Sequence, residues 1–172
     1  SWADEQRRMK HELNDAIQMQ EHYAESVKRY KKDLKVVTDT SGDKFKVEIE
    51  GKIFTDRKEA GQKVLNLFQN YENVHKKRSR RELVDDLSIG KFAGFDLKLS
   101  IDGYIKAVGA MEYKVELNAD GSVMFRGLTS EVNKIDKLIK SHERWISEYK
   151  TKQKDLEERI GKPFEHEDAL RK

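Results

Sequence analysis

From Trp2 to about Val37, apolar or neutral residues return at alternating steps of four and three: Trp2, Gln6, Met9, Leu13, Ala16, Gln20, Tyr23, Val27, Tyr30, Leu34 and Val37, with no glycine or proline between them. A stripe this regular predicts one long helix over 1–37 with a coiled-coil seam. A second heptad series occupies the other end of the chain, through Leu128, Val132, Ile135, Ile139, His142, Ile146, Tyr149, Gln153, Leu156 and Ile160. It predicts a helix over 128–160, stopped by Gly161, Lys162 and Pro163, because glycine accepts a left-handed cap and proline cannot continue the ladder. Each helix should be roughly 50 Å long at 1.5 Å per residue.

Between them the period changes to two. Phe45, Val47 and Ile49 alternate with Lys46, Glu48 and Glu50, and Phe95, Leu97, Leu99 and Ile101 alternate with polar partners. These are strands with one buried face. Asp102-Gly103 suits a hairpin turn into a strand carrying Met111, Tyr113, Val115 and Leu117, and Asn118 to Gly121 makes the next turn before Val123 and Phe125. One helix interrupts the sheet over 56–74: Asp56 can cap it, Glu59 completes a capping box, and Ala60, Val64, Phe68 and Tyr71 line one face. The expected architecture is α+β, a long antiparallel two-helix coiled coil bracketing a small antiparallel β-sheet (43–126) with one packed helix. An antiparallel return anchored at the sheet end pairs Leu34 with Leu128, Tyr23 with Ile139 and Gln20 with His142. The two polar seam residues would then face each other in a hydrogen-bonded layer.

A chain of 172 residues suits a single domain, with 161–172 beginning a further segment. Its 39% charged and 36% hydrophobic residues suit helices that expose much of their surface. The 35 basic and 32 acidic residues nearly cancel, so only local clustering can point to an anionic partner. There is no cysteine, which excludes disulfides, thiolate metal sites and cysteine nucleophiles and agrees with a reducing compartment. No apolar run approaches a membrane span or a signal-peptide core, so a cytoplasmic setting without membrane contact is expected.

Candidate chemistry is sparse. A phosphate-binding loop needs Gly-Lys followed by Ser or Thr, yet Gly51-Lys52, Gly90-Lys91 and Gly161-Lys162 are followed by Ile53, Phe92 and Pro163. With Pro163 the only proline, the Asn-Pro-Pro-Tyr pocket of amino-methyltransferases cannot be built. Asp85-Asp86 and Glu157-Glu158 read as solvated surface charge, because adjacent side chains point apart. His142 reads as a polar core layer, and Tyr23, Tyr30 and Tyr149 as seam packing. Gly90, Gly94 and Gly103 read as turns or bulges. No catalytic residue, cofactor or metal is therefore expected in this chain. The least bland feature is the basic run Lys76, Lys77, Arg78, Arg80 and Arg81, which could neutralise phosphates or simply be a solvated loop. No aromatic residue interleaves it, so contact would be led by the nucleic-acid backbone. Binding not carried there would fall around Lys28, Arg29, Lys31 and Lys32.

Two stretches, Phe54-Thr55-Asp56-Arg57-Lys58-Glu59-Ala60-Gly61 and Ile160-Gly161-Lys162-Pro163-Phe164-Glu165-His166-Glu167, resemble the carboxy-terminal part of the very large DNA methylase and helicase fusion proteins of bacterial mobile elements. Ile89-Gly90 and Gly94-Phe95-Asp96-Leu97 match the strand between them, in the same order, so the resemblance spans most of the chain. It implies a helicase-associated tail acting on DNA, with ATP hydrolysis and methylation carried elsewhere in the parent. DNA and other domains of the parent are then the expected partners. A start in mid-helix and a stop at Leu170-Arg171-Lys172, within a renewed charged helical pattern, fit an excised fragment. A spacer or protein-docking arm is the competing expectation.

Overall fold

The computed structural model describes residues 1–76 and 84–161. Among these, four helices and six strands follow in order: α1 (Trp2–Leu34), β1 (Val47–Ile49), β2 (Lys52–Phe54), α2 (Arg57–His75), β3 (Leu87–Phe92), β4 (Phe95–Ser100), β5 (Tyr104–Val108), β6 (Glu112–Glu116), α3 (Gly121–Val132) and α4 (Ile135–Gly161). The class is α+β, as expected, with long helices at both ends. The described residues divide into two compact units, one made of Ser1–Lys28 with residues 137–161, the other lying within Arg29–Asp136.

The second unit is built on one antiparallel sheet of order β2-β1-β3-β4-β5-β6. Two-residue turns join β1 to β2 at Glu50-Gly51 and β3 to β4 at Ala93-Gly94, all four residues having positive φ, the pairing that matches strand twist. Alternation sends Val47, Ile49, Phe92, Phe95, Leu97, Leu99, Ile105, Ala107 and Tyr113 to a buried face. Two helices supply the matching core residues: Ala60, Val64 and Tyr71 on α2, and Met124, Phe125, Leu128 and Val132 on α3. The Phe125 ring lies 5.2 Å from Phe45 and 5.8 Å from Phe92. A Cβ on Gly61 would collide with the Cα of Gly121, so two glycines let α2 and α3 cross closely.

The structure departs from the expected elements in several places. The turn at Asp102-Gly103 leads into β5, and the strand expected to follow it directly is β6, which holds Tyr113 and Val115 but not Met111 or Leu117. Val123 and Phe125 are not in a strand: the sheet ends at Glu116 and both belong to α3. Asp120 accepts the N–H of Ser122 at 2.9 Å and starts a helix, where the same residues had read as a turn between strands. The sheet thus carries two packed helices rather than one. Nor is 128–160 continuous: α3 ends at Val132 and α4 begins at Ile135, with Asn133 between, its N–H donating to Thr129 O at 3.0 Å.

In the first unit the heptad residues meet as a seam. Met9, Ala16, Val27, Ile139 and Leu156 are buried. The Tyr23 ring lies 5.1 Å from His142, 5.1 Å from Trp145 and 6.1 Å from Tyr149. Gln20 Nε2 donates to Gln153 Oε1 at 2.7 Å. Higher numbers on one helix meet lower numbers on the other, so the pair is antiparallel. The register, however, is displaced by about one heptad: Gln20 meets Gln153, not His142, and Tyr23 sits among residues 142–149 instead of on Ile139. The expected alignment was anchored on Leu128, which belongs to α3 and is fully buried, and on Leu34, which is 43% exposed. Among the described residues no helix is long and apolar enough to cross a membrane.

Candidate nucleic-acid interface

Of the five cations in the basic run, Lys76 is described. It is exposed and forms the C-cap of α2, its N–H donating to Asn73 O at 3.4 Å. Lys77, Arg78, Arg80 and Arg81 lie outside the described residues. The chain that leads from them into β3 is acidic. The Tyr71 hydroxyl donates to the carbonyl of Asp85, and burial together with the nearby Asp86 and Asp85 carboxylates raises its pKa. Asp86 pairs with Lys106 at 3.0 Å, and Lys106 also meets Glu112 at 3.5 Å. Burial alone would lower the Lys106 pKa, but the hydrogen bond and charge of Asp86 outweigh it and the net shift is upward.

The strand register assembles a feature that sequence reasoning missed. Lys98, Lys106 and Lys114 stand directly opposite one another across β4, β5 and β6. Like charges in cross-strand pairs repel. Two of the three are relieved locally: Lys106 is neutralised as above, and Lys114 Nζ lies 4.7 Å above the Tyr104 ring. On the same face Lys91 is bonded to Asp96. A hollow of about 550 Å³ between the 38–44 segment and this face brings Lys44, Lys46 and Lys91 together with Asp39 and Glu48. Lys44 is paired with Asp39 at 3.3 Å, and hydrogen bonds from the Ser41 side chain and backbone lower the Asp39 pKa to about 2. On the sheet face Lys91 and Lys106 therefore hold acidic partners, while Lys98 and Lys114 take part in no ion pair among the described residues.

The cationic end of α1 is different. Lys28, Arg29, Lys31, Lys32 and Lys35 are all exposed. The acid among them, Asp33, is 3% exposed. Its Oδ1 accepts the N–H of Ala110 at 2.8 Å, and its Oδ2 accepts the N–H of Met111 at 2.9 Å and the hydroxyl of Tyr113 at 2.7 Å. A Cβ on Gly109 would collide with that carboxylate, so the glycine is what lets Asp33 reach the β5–β6 turn. Burial, then the hydrogen bond and charge of Asp33, raise the Tyr113 pKa far above the ordinary phenol value. No periodicity marks Asp33, because the residues that hold it lie far along the chain. Among the described residues no group of three or more His, Asp or Glu side chains is placed to hold a metal ion. No known protein-family model matches this chain, and no curated protein or solved structure matches it.

Proposed function

We propose that this chain is a non-catalytic accessory domain of a DNA helicase and methylase protein, one that positions DNA or the motor. The supporting observation is what the residues behind the family resemblance do in the fold. Asp56 caps α2 through the N–H of Lys58 at 2.9 Å. Arg57 donates to Gly42 O at 2.8 Å and lies 4.7 Å above the Phe45 ring. Gly61 admits α3, Gly90 admits the backbone of β1, and Gly94 turns the β3–β4 hairpin. Motifs that hold a scaffold suit a part that presents a surface to DNA or to a motor. The second reading, a spacer or docking arm, draws on the aromatic seam of α1 and α4.

Titration of the full 172-residue chain with labelled duplex and single-stranded DNA across a salt series separates the two. Backbone-led binding weakens steeply with salt, and replacing Lys77, Arg78 and Arg80 by Ala should lower the slope by about 0.9 for each duplex phosphate that is no longer neutralised. No binding at low salt would leave the docking arm as the reading to pursue.

A further inference from the structure

We propose that the carboxy-terminal end of α1 is a contact surface for the phosphate backbone of duplex DNA, formed by Lys31, Lys32 and Lys35 with Arg29 at its margin. This rests on the DNA reading above but places contact on a surface separate from the basic run after α2.

Lys31 and Lys32 lie in the last turn of the helix, and Lys35, four and three positions on, follows directly beyond it on the same side. Ser26 and Asp33, both buried, lie on the opposite side of the same helix. With the Asp33 carboxylate taken up by Ala110, Met111 and Tyr113, residues 29–35 offer solvent four cations and no carboxylate. Around the sheet face Lys44, Lys91 and Lys106 each hold an acidic partner, and the unpaired Lys98 and Lys114 stand apart from one another on separate strands. Among the described residues Arg29, Lys31, Lys32 and Lys35 take part in no ion pair. Like charges three and four positions apart repel along a helix, and the dipole offsets this only in the last turn. A polyanion relieves what the fold leaves uncompensated.

Duplex DNA fits this surface for two reasons. It offers a phosphate charge about every 1.7 Å of axis, dense enough to engage several cations spread over roughly 10 Å of helix at once. The cationic stretch holds no exposed aromatic ring, since Tyr30 faces Tyr113 at 6.4 Å, so the stacking that favours single strands is missing. Leu34 and Val36 are 43% and 49% exposed beside the lysines, which makes an anionic membrane the competitor to test.

The test compares the full chain with a Lys31→Ala, Lys32→Ala, Lys35→Ala variant and a control carrying Lys10→Ala, Lys150→Ala and Lys154→Ala, exposed lysines outside the cationic stretch. Anisotropy of a labelled 20-base-pair duplex is followed over a salt series, with circular dichroism melting as the check on folding. The patch variant should melt like the parent, bind about tenfold or more weakly at low salt, and show a log–log salt slope smaller by about 2.7 units, while the control keeps its slope. An unchanged slope, or an equal reduction in the control, overturns this surface and leaves DNA binding by the chain standing. Absence of binding by the parent chain overturns both readings. Tighter binding to phosphatidylserine vesicles than to the duplex, abolished in the patch variant, also overturns it.

Discussion

A polar group embedded among apolar ones is treated differently in the two units. In the helical pair, Gln20 reaches Gln153 at 2.7 Å and also the Ala16 carbonyl at 3.2 Å, and both amides remain half-buried. In the sheet unit, Asp33 is closed off from solvent and satisfies three donors at once. The glutamine layer has substitutes at hand, since water or its own helix can take over its hydrogen bonds. The carboxylate has none, and of its donors the Tyr113 hydroxyl is buried with it. Tolerance to change should therefore follow access to a second partner rather than polarity.

The contrast is sharpest where no partner can move at all. A Cβ on Gly90 would collide with the carbonyl oxygen of Glu48, a backbone atom fixed by the β1–β3 ladder. Gly90→Ala should therefore cost about 3 kcal/mol or more, read as a fall in the urea midpoint of the sheet unit. Gly51→Asn, at a positive-φ turn with open space around it, should cost less than about 1 kcal/mol. Equal losses would show that packing of β1 on β3 is looser than the register implies.

Next in size comes the pair that defines the contrast. Asp33→Ala strands two backbone N–H groups and the Tyr113 hydroxyl and should cost about 3 kcal/mol, while Gln20→Leu should cost no more than about 1 kcal/mol. Denaturation of the two variants under the same conditions decides it, and a Gln20→Leu loss matching that of Asp33→Ala would break the distinction.

How much of the fold is legible in the sequence follows the same division. The α1 and α4 seams are legible because a heptad is a local pattern, and Met9, Ala16, Ile139 and Leu156 are buried where it puts them. β1, β4, most of β6 and the Asp56 cap are legible for the same reason, whereas β5, with its alternating Lys106, is not. The alignment of the two helices is not, because it depends on where α3 stops, and Leu128 and Val132 fit the seam period equally well while packing on the sheet. Val123 and Phe125 mislead because Asp120-Gly121 serves a hairpin turn and a helix cap with the same chemistry. Asp33 and the row of Lys98, Lys106 and Lys114 join residues distant in the chain, and only strand register brings them together. Of the candidate interface, the α1 cations can be seen as a cluster, but not that Asp33 is withdrawn from among them.

The smallest expected effect lies back in the helical pair. Burial, and then the nearby His22, lower the His142 pKa below the ordinary imidazole value, and its ring packs 4.9 Å from Trp145 and 5.1 Å from Tyr23. The unfolded chain then takes up the proton first as pH falls. The stabilisation is fully present above the unfolded value of about 6.5 and is lost as pH drops through the lower folded value. Both tryptophans, Trp2 and Trp145, belong to this unit, so tryptophan fluorescence reports its unfolding without signal from the sheet unit. Between about pH 7.5 and about pH 5 the urea midpoint read by fluorescence should fall, and His142→Gln should reduce that fall. The difference between variant and parent is the quantity that counts. A variant whose midpoint falls as much as the parent's on acidification would show that the seam imidazole does not carry the effect, and the neutral character of this seam would then rest on Gln20 and Gln153 alone.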